Sequence, residues 1–148
     1  MMTRQTALMP SFVDFIPEVL EEGVLYVSVR YKTACHKCSC GCGKKVVTPL
    51  TPTGWRITYD GRTVSLYPSI GNWKLACRSH YWITNNRVKW AEEWTAQEIA
   101  ESFSHDTKLK ENYYRKQREV PIASENPAAG ATKQSGWMKW LERWLSRR

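Results

Sequence analysis

No stretch of this chain approaches the ~20 uninterrupted apolar residues that a membrane-crossing helix needs, and residues 1–10 lack a charged segment leading into an apolar one, so no secretory leader is read there. A cytoplasmic protein is the expectation. Acidic residues are scarce, 14 against 22 Lys and Arg. An excess of positive charge raises nucleic acid, anionic lipid or an acidic protein as partners. Its distribution argues against the first: residues 1–94 hold 12 basic and 7 acidic residues, residues 95–148 hold 10 and 7, and neither half is a basic block. Phenylalanine is rare, at three. Apolar content of 42% and charged content of 24% exclude wholesale disorder, collagen-like repeats and a coiled coil, and 148 residues suffice for one domain with a core.

What the chain has instead is tryptophan and clustered cysteine. Eight Trp side chains either anchor a small core or wait at an interface. Of five cysteines, Cys35, Cys38, Cys40 and Cys42 fall within eight residues and Cys77 stands apart. Thiols this close in sequence do not bridge one another readily, and a cytosol keeps them reduced, so they read as metal ligands rather than a disulfide framework. Zinc takes four such ligands from tight turns brought together by the fold. Cys38-Ser39-Cys40-Gly41-Cys42-Gly43 supplies one knuckle, and Cys77-Arg78-Ser79-His80 offers a thiol and an imidazole. Counting Cys35 and His36, there are more candidates than positions. Either two or three knuckle cysteines join Cys77 and His80 around one zinc, or Cys38, Cys40, Cys42 and Cys77 form a closed thiolate site. The second is the expectation, one zinc held by Cys38, Cys40, Cys42 and Cys77 with Cys35 a spare thiol; it leaves His36 and His80 for chemistry, and such a closed site is structural, because a catalytic zinc keeps a position open.

Short β-rich runs follow turn residues along the first part of the chain: Val24–Val29, Val46–Val47, Trp55–Tyr59, Thr63–Tyr67, Tyr81–Thr84 and Arg87–Trp90, with Phe12–Pro17 extended. Asp60-Gly61 and Asn85-Asn86 mark hairpins. The expected class is mainly β (α+β): a small zinc-stapled antiparallel β domain over residues 10–94. A charged helical extension follows over 95–119, opened by the capping box Thr95-Ala96-Gln97-Glu98 and either packed along one side or broken near Ser104-His105-Asp106. Composition makes 120–135 a flexible linker. Trp137, Trp140, Leu141, Trp144 and Leu145 then recur at helical spacing, an amphipathic Trp-rich helix over 136–148. Its stripe is expected to be covered by protein rather than by a membrane surface, since its basic charge is modest.

The segments Phe12-Val13-Asp14-Phe15-Ile16-Pro17, Gly23-Val24-Leu25-Tyr26, His36-x-Cys38-x-Cys40-Gly41-Cys42-Gly43, Val46-Val47-Thr48-Pro49-Leu50, Pro68-Ser69-Ile70-Gly71-Asn72-Trp73 and Cys77-x-Ser79-His80-Tyr81-Trp82-Ile83 resemble the BubE family. Its members are small bacterial proteins encoded beside ubiquitin-like proteins and their E1-like and E2-like enzymes. The likeness spans about residues 12–92. It implies a zinc-containing peptidase, similar in role to a deubiquitinase, that acts on the C-terminus of a ubiquitin-like protein. Under that role Ser69 is the candidate nucleophile, with His80 as its base and His36 as the second candidate base. Ser79 is a rival nucleophile, though neighbouring strand residues face opposite ways and keep it from His80. Asp60 or Asn72 can orient an imidazole, and His105 reads as a surface residue. The competing expectation is a non-catalytic zinc adaptor that docks a ubiquitin-like protein or its conjugating enzymes.

Overall fold

Each turn signal in the sequence closes a hairpin in the computed structural model, which describes residues 3–119. Asn85 and Asn86 both adopt positive φ (49° and 64°), the geometry of a two-residue turn whose twist suits paired strands. They join β7 (His80–Thr84) to β8 (Arg87–Trp90). Asp60 accepts from the backbone amides of Arg62 and Thr63 at 2.8 and 2.6 Å and from the Thr63 hydroxyl at 2.7 Å. That turn connects β5 (Arg56–Tyr59) to β6 (Val64–Gly71). These four strands form an antiparallel sheet in the order β5-β6-β7-β8. A second sheet runs β1 (Met9–Phe12), β2 (Val24–Ser28), β3 (Thr33–Lys37) and β4 (Lys45–Pro49) in that order. One of its pairings departs from the antiparallel expectation: β1 runs parallel to β2.

The sheets share one core. Leu25, Val27, Ala34 and Val46 from the first pack with Val64, Leu66, Ile70, Tyr81, Ile83 and Val88 from the second. The N-terminal segment stitches them together, because Leu8 N–H donates to Asn86 O and Val88 N–H to Thr6 O before the chain continues into β1. Strand β3 was not read from the sequence. Its residues Thr33-Ala34-Cys35-His36-Lys37 adjoin the thiol knuckle, and Cys35 and His36 are both core residues.

After β8 comes α1 (Ala96–Glu119), unbroken through Ser104-His105-Asp106. Its start is the predicted capping box: Thr95 N–H donates to Glu98 Oε2 at 2.7 Å, and Glu98 N–H donates to Thr95 Oγ1 at 3.3 Å. Only Ile99 of this helix is buried, so its charged composition is that of a solvated element. No helix among the described residues is long and apolar enough to cross a membrane. The linker and amphipathic helix expected over 120–135 and 136–148 lie outside the described residues. Replacing Ile83, 1% exposed between the sheets, by Ala should cost about 2–5 kcal/mol of stability, read as a lower urea midpoint for the full chain.

Candidate functional site

Strand β6 does not pair evenly with β7. Leu66 faces Ile83 and Ile70 faces Tyr81, so β6 carries two more residues than β7 over that span. A bulge of this kind re-aims side chains, and Ser69 sits in it. Its Oγ lies 2.9 Å from His80 Nε2 at the start of β7, while its carbonyl accepts from the Trp55 indole at 3.3 Å. The sequence-predicted serine and histidine are therefore brought to hydrogen-bond distance by one irregular hairpin.

His80 is only 5% exposed. Three indoles enclose it: Trp94 at 4.5 Å and Trp73 at 4.9 Å between ring centroids, each edge to face, with Trp82 at 5.4 Å. Trp73 and Trp94 stack on each other at 5.5 Å. A Cβ at position 71 would collide with the Trp73 indole, so Gly71 is what lets the tryptophan fold back over the imidazole. Burial holds the His80 pKa below its ordinary value, because the charged form loses its hydration. The neutral ring can accept the Ser69 proton at Nε2 when its own proton is on Nδ1. That Nδ1 is buried and has no partner among the described residues. Neither orienting candidate supplies one: Asp60 is spent on its turn, and Asn72 points to the thiols.

The Sγ atoms of Cys38, Cys40, Cys42 and Cys77 all lie within 4.8 Å of one another. Sulfur separations are 3.4 Å for Cys38 and Cys40, and 3.8 Å for both Cys38–Cys77 and Cys42–Cys77. A tetrahedron of ~2.3 Å metal–sulfur bonds has edges of about 3.8 Å, so the cluster has the dimensions of a four-thiolate metal site. Gly41, at φ 85°, makes the knuckle turn and returns its amide to Cys38 O at 3.0 Å. The thiols titrate in opposite directions: burial pushes Cys38 up. At Cys77 burial also raises the pKa, but hydrogen bonds led by the Ser79 hydroxyl outweigh it and bring it to about 7. Four sulfurs this close do not all ionise without a cation between them. Cys35 is elsewhere, buried with Leu20 and Tyr26.

Asn72, between the two sites, does not orient an imidazole. Its amide donates to Ser79 Oγ at 2.9 Å, Tyr81 Oη at 3.4 Å and Cys38 Sγ at 3.7 Å. Ser79 Oγ is also 3.1 Å from Cys38 Sγ, which ties it to the thiols and not to His80. His36 is fully buried, with Nε2 2.8 Å from Tyr81 Oη, and burial lowers its pKa to about 4. It is bonded into the core, not to Ser69. His105 is exposed on α1. A cleft of about 330 Å³ reaches Cys40 and Cys77 on one side and Trp73, His80 and Trp94 on the other, without Ser69 in its lining. The enclosing tryptophans and the Trp55 contact escaped the sequence reading, whose only hint was the tryptophan count.

The family model that matches is that of BubE, described as bacterial ubiquitination-like system serine protease, over residues 12–91. The chain belongs to the BubE family. That segment contains Ser69, His80 and all four clustered cysteines, and leaves α1 outside. Comparisons with curated proteins and with solved structures return no match. BubE membership makes this a serine protease of a bacterial ubiquitination-like system, and the serine that meets an imidazole here is Ser69.

Enclosure by indoles predicts how His80 titrates. Its imidazole should have an NMR midpoint below 6.5, and Trp94→Ala, which opens the enclosure to water, should move it back toward that value. Since the unfolded chain binds this proton first, lowering the pH below about 6.5 should destabilise the fold, and less so in the variant.

Proposed function

We propose that Ser69 is the nucleophile and His80 its general base, in a peptidase that cleaves after the C-terminus of a bacterial ubiquitin-like protein, as a precursor or from a conjugate. The observation that carries this is the 2.9 Å contact between Ser69 Oγ and His80 Nε2. In the first step Ser69 Oγ attacks the carbonyl carbon of the modifier's last residue as His80 Nε2 takes the hydroxyl proton. The protonated imidazole then gives that proton to the departing amine, leaving an acyl-enzyme. Water attacks the ester, again losing a proton to His80, and Ser69 is regenerated. A desolvated, neutral histidine is the form the first step requires.

The four thiols are read as holding one structural zinc ion per chain, which draws the knuckle and the segment before β7 together. Zinc would supply folding energy there, since the site does not exist in the unfolded chain. A cytosolic setting agrees with five free thiols. One observation favours the second reading, a non-catalytic zinc adaptor for the ubiquitin-like protein or its E1-like and E2-like enzymes: His80 Nδ1 has no orienting carboxylate among the described residues.

Cleavage of the precursor of the ubiquitin-like protein encoded with this chain separates the readings. Ser69→Ala and His80→Ala are each expected to lower kcat/KM by about 10³-fold or more while zinc content and far-UV circular dichroism stay at wild-type values. Intact zinc-loaded protein that leaves every precursor and conjugate uncut makes it an adaptor. Wild-type kcat/KM should rise with pH to a plateau through a midpoint below 6.5, as the His80 base loses its proton. Elemental analysis of protein purified without chelator should give one zinc per chain, and Cys77→Ser should lose both the metal and cooperative unfolding.

A further inference from the structure

The net positive charge of the chain is concentrated in the β strands and their connections. Between Gly23 and Ala91 the sequence contains a single carboxylate, Asp60, against eleven Lys and Arg, and Asp60 is consumed by its own turn. Strands β5 to β8 contain no acidic residue at all. Strand alternation sorts their side chains. Leu66, Ile83 and Val88 enter the core, whereas Arg56, Tyr67, Trp82, Arg87 and Lys89 lie on the solvent face.

That face is organised around two aromatic side chains. Tyr67 is 62% exposed and Trp82 37% exposed. The Arg56 guanidinium stacks 5.3 Å over the Tyr67 ring, a posture that leaves its N–H edge free for a carboxylate. Lys89 is the cross-strand partner of Trp82, and Arg87 that of Thr84. Among the described residues, the salt bridges are Lys37–Glu22 and Lys110–Asp106, so none of these three cations is paired. Tyr67 stands two residues before Ser69, and Trp82 two after His80, touching its ring. The cationic, aromatic face therefore adjoins the serine–histidine pair.

We infer that this face is the docking surface for an acidic stretch of the polypeptide that the enzyme cuts, with carboxylates meeting Arg56 and Lys89 and an apolar side chain lying between Tyr67 and Trp82. The inference rests on the reading of Ser69 as nucleophile, because what covers a face adjoining the nucleophile is the molecule being cleaved. A single-stranded nucleic acid also suits basic and aromatic surfaces and is the alternative that the experiment must exclude.

The test uses the full chain carrying Ser69→Ala and fluorescence anisotropy with fluorescein-labelled peptides of alternating Leu and Glu, Leu and Gln, and Leu and Lys. The Glu peptide should bind about fivefold more tightly than the Gln peptide, the size expected from two exposed ion pairs, and raising the salt should narrow the gap. Arg56→Gln with Lys89→Gln should erase the preference. Lys89→Glu alone should shift it toward the Lys peptide, which provides a second arm should the double variant fail to fold. Equal binding of the Glu and Gln peptides, or a preference that survives these substitutions, overturns the inference. So does a labelled single-stranded oligonucleotide that binds more tightly than the Glu peptide and depends on the same two residues. Labelling of Ser69 in the wild-type chain by a fluorophosphonate needs neither cation. Its absence removes the nucleophile reading, whereas labelling without a Glu preference removes only the docking surface.

Discussion

Three consecutive residues at the entry to β7 hold this structure together. Ser79 turns to the thiols, His80 turns to Ser69, and Tyr81 enters the core to meet His36. Alternation along a strand separates the second from its neighbours, and the chain has no slack there to exchange them. Asn72, on the opposing segment, ties the group by its amide to Ser79, Tyr81 and Cys38, and its backbone N–H donates to Ser79 O at 2.8 Å. The candidate metal centre and the candidate catalytic pair are thus adjacent readings of one backbone segment. A thiol cluster that fixes Cys77 and Ser79 also fixes where the His80 imidazole begins.

The geometry explains why the pair needs a bulge. In an even ladder a serine one step from a proline on β6 would keep the strand's regular alternation. Two extra residues between Leu66 and Ile70 shift that register and deliver Ser69 to His80. The surroundings then set the chemistry. Indoles on three sides exclude water without offering a hydrogen-bond acceptor, which keeps the imidazole neutral and leaves Nδ1 unpartnered. A carboxylate in their place would raise the histidine pKa and orient the ring. The tryptophans lower the pKa and restrain the ring by packing alone.

Electrostatics of the chain divide by region rather than by total. The segment from Gly23 to Ala91 is almost free of carboxylates. The residues that follow β8, Glu92 and Glu93, line the cleft beside His80, and α1 carries charge of both signs along a largely exposed helix. The cleft beside His80 therefore carries both signs, Arg4 and Arg78 with Glu92 and Glu93, whereas the solvent face of β5 to β8 carries cations alone.

Sequence alone determined the local features whose cause is local. Asp60-Gly61 and Asn85-Asn86 make turns because those residues satisfy turn backbones or tolerate positive φ, and Thr95 with Glu98 caps a helix because both partners lie within one turn. Membership of the family was legible in the spacing of the cysteines and the Ser-His-Tyr-Trp run. The pairing of Ser69 with His80 was a residue-level expectation, and the structure sets the two at hydrogen-bond distance. Among chemically equivalent residues the sequence already favoured one set, and the tertiary structure places that set together. Four of five cysteines cluster while Cys35 packs with Leu20 and Tyr26, and one of two candidate histidines meets the serine while the other is sealed against Tyr81. The parallel β1–β2 pair, the β6 bulge and the enclosure of His80 by Trp73, Trp82 and Trp94 were decided by the tertiary structure alone. Each depends on register and on contacts between residues distant along the chain, and composition and spacing carry no record of which strand lies beside which.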